Sequence, residues 1–145
     1  MDVRPLETDR EIADAYPLMA QLRPHLKEAE FVSTIRRQAA EGYRLFGGFD
    51  GAGRLVALAG LRVAHTLSRG PHLFVDDLVT DESQRGRGYG KAMIGWLRAY
   101  ASEQGLPAVH LDSRDTARGF YERVGFTFHT SIPCRIDAGP VEGGD

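Results

Sequence analysis

Residues 74–91 read Phe-Val-Asp-Asp-Leu-Val-Thr-Asp-Glu-Ser-Gln-Arg-Gly-Arg-Gly-Tyr-Gly-Lys. Gly86, Gly88 and Gly90 stand at alternate positions, interleaved with Arg85, Arg87, Tyr89 and Lys91. Glycines spaced this way let backbone approach a ligand closely and turn N–H groups inward. A helix opening near Tyr89 adds the positive end of its dipole. With three cations beside it, the loop suits phosphates, most simply a pyrophosphate. A flexible surface connection is the competing reading. Just upstream, Asp76 and Asp77 place two carboxylates near a strand end. They can take up a proton, attract a cationic substrate, or be solvated or salt-bridged groups without a chemical role.

Two familiar phosphate sites are excluded. A nucleotide P-loop needs Gly-x4-Gly-Lys-Ser/Thr, but Gly90-Lys91 is followed by Ala92 and Arg85 stands where the first glycine belongs. A dinucleotide fingerprint needs Gly-x-Gly-x-x-Gly soon after the first strand, whereas this spacing is Gly-x-Gly-x-Gly deep in the chain. His65, His72, His110 and His129 do not fall at metal-ligand spacing, so no metal site is expected. Cys134 is the only cysteine and reads as a small strand residue.

The elements that must hold this segment belong to an ordinary globular chain. Its 145 residues suffice for one domain, with 42% hydrophobic and 26% charged residues. A formal net charge of −2 makes neither nucleic acid nor an anionic membrane the default partner. The lone cysteine, the lack of any long apolar window and an N-terminus without a secretory core lead to the expectation of a soluble cytoplasmic protein.

Residues 3–6 read as a strand. Thr8 with Glu11 has the capping-box spacing, and Ile12, Tyr16, Met19 and Leu22 continue at helical spacing, with Pro17 placed to kink or shift the helix. Phe31, Ile35 and Ala39 predict a second helix ending near Gly42. Strands follow at residues 43–49, 55–61 and 73–80, with a turn at residues 50–53; the second is apolar enough to be central. Met93, Trp96, Leu97 and Tyr100 make a helical stripe. A strand at residues 108–111, a short helix at 116–124, and one or two closing strands within 126–136 complete the pattern. The expected domain spans residues 1–138, with a disordered tail at 139–145.

The central segment resembles the acetyl-CoA motif of the GNAT superfamily of N-acetyltransferases, Gln/Arg-x-x-Gly-x-Gly/Ala, matched by Arg85-x-x-Gly88-x-Gly90. A second signature of that family, Ala-x-x-Phe-Tyr-x-x-x-Gly-Phe, is matched from Ala117 through Phe120, Tyr121 and Gly125 to Phe126. The resemblance covers most of residues 3–136. It implies an α/β fold: one domain whose mixed central sheet is splayed at the fourth strand and flanked by about four helices. It also implies acyl transfer from acetyl-CoA to a primary amine in a ternary complex.

Carried onto this chain, the resemblance assigns the thioester and pantetheine to amides of Leu78, Val79 and Thr80, following a bulge after the acidic pair. The pyrophosphate falls to Arg85, Gly86, Arg87, Gly88, Tyr89, Gly90 and Lys91. Asp76 is the favoured base, with Asp77 or a water as the alternatives, since an alkyl amine with a pKa of about 10.4 must lose a proton before attack. Tyr121 is the expected general acid at the sulfur, or else an aromatic that packs the short helix. Ser113 either touches CoA or caps the next helix. The chain departs from the family in having no asparagine near the fifth strand. The acidic pair tilts the expected acceptor towards a cationic small molecule, Arg23-Pro24-His25 either covers its pocket or ends a surface helix, and a homodimer is compatible with the family. The rival readings are a non-catalytic acyl-CoA-binding sensor or regulatory module, and a structural domain without CoA.

Overall fold

The computed structural model describes residues 1–140; residues 141–145, in the expected tail, lie outside the described residues. Five strands form one sheet in the order β1-β2-β3-β4-β5. They are β1 (Asp2–Pro5), β2 (Arg44–Phe49), β3 (Leu55–Thr66), β4 (Gly70–Thr80) and β5 (Val109–Leu111). The first four are antiparallel, while β5 runs parallel to β4. Five α-helices cover the faces: α1 (Asp9–Asp14), α2 (Tyr16–Leu22), α3 (Glu28–Ala39), α4 (Tyr89–Glu103) and α5 (Arg118–Arg123).

The capping box forms in full. Glu11 N–H donates to Thr8 Oγ1 at 3.1 Å and Thr8 N–H to Glu11 Oε1 at 3.0 Å. Pro17 splits the first helix instead of kinking it, because the missing N–H costs nothing in the first turn of a new helix. The central β3 is covered twice. Ala57, Ala59 and Leu61 meet Met93, Ile94 and Leu97 of α4, while Leu58 meets Ile12, Met19 and Phe31 of α1–α3.

Three expectations need correction. The β3–β4 hairpin is longer than the apolar runs indicate, because the ladder continues through Arg62 to Thr66, paired with residues 70–74, where much of β3 is exposed. The bulge precedes Asp77 instead of following it. The closing strands at 126–136 do not form. Phe126 N–H bonds Tyr121 O at 3.0 Å, Arg118 lies 4.5 Å over the Phe128 ring, and Ile132 and Ile136 are exposed. Cys134, in this segment, is exposed and not in a strand.

Candidate active site

The register of β3 on β4 shifts at one place. Gly60 pairs with Asp77 and Leu61 with Val75, so Asp76 is the extra residue of a β-bulge. Side chains alternate across a strand, and one added residue returns two neighbours to the same face. Val75 joins the α4 core and Val79 the α1–α3 core. Asp76 and Asp77 therefore share the α1–α3 side, and both line a cavity of about 580 Å³ there.

The same strand opens on its other edge. The β4–β5 pairing ends at Val75 and Leu111, so residues 76–80 have no strand beside them on that side. Asp81 N–H bonds Val56 O at 2.8 Å, which fixes the parity of the antiparallel ladder. Residues 77, 79 and 81 turn their amides towards β3. The amides of Leu78 and Thr80 point into the gap, and that of Val79 does not.

Downstream, the glycine loop folds back against this gap. Gly86 (φ 80°) and Gly88 (φ 81°) are left-handed, a conformation that side chains other than glycine resist. Gly88 is the N-cap of the 15-residue α4 and supplies no side-chain cap. Ala92 N–H is the first to bond back, to Gly88 O at 2.9 Å, which leaves the amides of Tyr89, Gly90 and Lys91 facing outward. Across the gap stands α5. A Cβ on Gly90 would meet Phe120 Cζ at 3.2 Å, so the two walls touch only because this residue has none. Leu78, Thr80, Arg85, Gly88, Lys91 and Tyr121 line one cleft of about 770 Å³. Gln84 Oε1, buried and with no hydrogen-bond partner among the described residues, belongs to the same lining. Tyr121 packs against Phe120 and Phe126, and burial raises its hydroxyl pKa above the ordinary 10.0.

On the α1–α3 side, Asp77 is fully engaged. Arg23 Nε donates to its Oδ1 at 3.0 Å and Tyr43 Oη to its Oδ2 at 2.8 Å. Burial first, then Asp77, pushes the Tyr43 pKa far up, so that hydroxyl is a fixed donor. Asp76 Oδ2 accepts from Arg62 Nε at 2.9 Å, and its backbone carbonyl accepts from Arg23 Nη2 at 3.0 Å. Its Oδ1 has no partner among the described residues. Asp76 and Arg23 line both the 580 Å³ cavity and the cleft, so the two spaces meet at these residues.

Of the two sequence readings of Arg23, pocket or surface helix end, the structure puts it in the cavity lining; sequence reasoning missed Tyr43 and Arg62, for which no motif exists. Ser113 bonds Arg114 O at 2.8 Å in its own loop and caps no helix. His72 meets His110 edge-on at 4.6 Å between ring centroids, and His110 stacks on His129 at 5.2 Å, a grouping their sequence spacing hid. Among the described residues no group of three or more His, Cys, Asp or Glu is arranged to hold a metal ion.

The acetyltransferase (GNAT) family model matches residues 9–126, most of the chain. The chain belongs to the GNAT family. Relatives of this GNAT protein include the uncharacterized N-acetyltransferase YhdJ of Bacillus subtilis, 29% identical over 90% of this chain and 94% of that protein. The glucosamine 6-phosphate N-acetyltransferase of Trypanosoma brucei brucei is 34% identical over 75% and 80%. A solved Trypanosoma brucei acetyltransferase superposes with a TM-score of 0.73 at 29% identity, covering 94% of this chain and 98% of that one. The protein is thus a GNAT N-acetyltransferase, which sets aside the structural-domain and non-catalytic readings. No described helix is long and apolar enough to cross a membrane.

Proposed function

We propose that the cleft holds acetyl-CoA, and that the protein transfers its acetyl group directly to a primary amine of a small molecule seated in the 580 Å³ cavity. The reading is carried by one observation: the gap beside β4, with the Leu78 and Thr80 amides turned into it, meets the acceptor cavity at Asp76. When bound, acetyl-CoA supplies an acyl group activated as a thioester. The chain's own groups fit such a ligand. The cations of Arg85 and Lys91 and the outward amides at the start of α4 suit the pyrophosphate, while Arg87, expected there from the sequence, is exposed and does not line the cleft. The Leu78 and Thr80 amides suit the pantetheine and the thioester carbonyl, where a backbone donor aimed at developing negative charge contributes about 2.7–4 kcal/mol.

Asp76 Oδ1 takes the proton from the incoming ammonium, directly or through a water. Asp77, with both oxygens engaged, holds the bulge and does not act as base. Tyr121 stays protonated at neutral pH and returns a proton to the departing sulfur. A small-molecule acceptor is supported by the relative named for glucosamine 6-phosphate. The single cysteine suits a reducing compartment, and the cytoplasm is the compartment proposed.

The test is thiol release from acetyl-CoA across a panel of small amines. Turnover is expected with at least one. Tyr121→Phe and Asp76→Asn are each expected to lower kcat by about 100-fold while CoA still binds. Unchanged kcat in either variant removes that residue from the mechanism, and silence with CoA bound removes the acceptor class.

A further inference from the structure

The acceptor cavity contains more than the proposed proton acceptor, and two of its lining residues, Arg23 and Arg62, are cations. Arg62 lies directly opposite Phe74 in the β3–β4 ladder, its guanidinium 4.9 Å from the ring centroid. It donates Nε to Asp76 Oδ2. Neither Nη of Arg62 makes a hydrogen bond among the described residues, and the side chain, 45% exposed, lines the cavity. Arg23, by contrast, spends Nε and Nη2 on Asp77 and the bulge carbonyl. Arg23 keeps only Nη1 free, whereas Arg62 keeps both Nη groups, a planar fork that matches a carboxylate or phosphate. Glu41 lines the cavity from just beyond the C-terminal end of α3, where its charge and the helix dipole both repel an anion. An anion is therefore steered to the β3 side.

We propose that Arg62 is a specificity-determining residue: the acceptor carries an anionic group beside its amine, which Arg62 binds while the ammonium meets the free Oδ1 of Asp76. The proposal rests on the assignment of this cavity to the acceptor. A carboxylate and a phosphate share the chemistry, and the experiment separates them.

Two matched pairs of acceptors are compared, glucosamine with glucosamine 6-phosphate and alanine amide with alanine. The readout is the ratio of kcat/KM, anionic over neutral, in the wild type and in Arg62→Gln. At least one pair should favour its anionic member by about tenfold or more, through KM, and the ratio should collapse towards one in the variant. Arg62→Lys should fall between, keeping the charge and losing the fork. Any harm done through Asp76 enters both members of a pair and cancels in the ratio. Which pair responds identifies the anion. A wild-type ratio of one or less in both pairs, or a ratio unchanged in Arg62→Gln, overturns the proposal. If none of the four compounds is acetylated, the wider amine panel tests the transfer assignment separately, and thermal stabilisation by the two anionic compounds still decides this one. A shift abolished by Arg62→Gln supports it, and no shift, or an equal shift in both proteins, overturns it.

Discussion

Gly60 has no side chain because the Tyr43 hydroxyl occupies the space that a Cβ would fill. That contact lets Tyr43 cross β3 and reach Asp77, which pairs with Gly60 in the ladder. Gly60→Ala would push the ring off its carboxylate and leave a buried hydroxyl and a carboxylate oxygen unpaired. Overpacking of this kind costs about 1–3 kcal/mol, read as a lower midpoint in denaturant unfolding. A variant as stable as the wild type would show that the ring has room to move. Tyr121 was legible because it sits at a fixed place in a motif, and the acidic pair because it stands at a strand end just before another. Their partners were not. Tyr43 lies 34 positions from Asp77 and Arg23 lies 54 away, and only the folded sheet brings them together. The bulge is a matter of register, which no single strand records. For the same reason the sequence could not say that Val79, unlike its two neighbours, turns its amide inward.

The opening helix was readable residue by residue, since both capping bonds join groups within one turn. Hydrogen bonding to Thr8 is the main cause that lowers the Glu11 pKa below its ordinary 4.5. A carboxylate held lower in the folded state stabilises it above the ordinary pKa, and that contribution fades as pH falls through the folded value. The melting temperature should therefore drop between about pH 5 and pH 3, and Glu11→Gln should flatten that acid limb. An identical limb in the variant would place the acid sensitivity elsewhere. The closing strands were the opposite case. Residues 126–136 carry the right residue types, but β5 is three residues long and offers little edge to pair with. Phe126, Phe128 and His129 instead find partners in Tyr121, Arg118 and His110. Local propensity named the candidate, and the available edge decided the outcome.

Across the whole molecule, the cleft is assembled from four pieces that come from separate stretches of the chain. β4, the glycine loop, α4 and α5 each contribute a wall. Arg23 and Tyr43 hold β4 through Asp76 and Asp77, and further bonds tie the other walls to the acceptor side. Gln21 Oε1 accepts from Glu82 N–H at 3.0 Å, and Arg114 Nη2 donates to Leu22 O at 2.9 Å, both tying the walls to α2. A ligand that spans the walls links them. CoA at 100 times its dissociation constant should stabilise the fold by about 2.7 kcal/mol, measured as a thermal shift. No shift at saturating CoA would mean that the cleft is not its site. The α/β class followed from the alternation of strands and helices, and the mixed sheet from the family resemblance. The meeting of cleft and cavity at Asp76 did not, because it depends on where β5 stops.

The inserted residue in β4 also separates two demands that sequences usually serve together. Both halves of the strand keep the same inside-outside order whether or not Asp76 is present, so removing it would leave every neighbour on its present face. The architecture could lose this one position and remain intact, while the bend and the free carboxylate would vanish. Here the requirements of folding and those of chemistry fall on different residues of one strand.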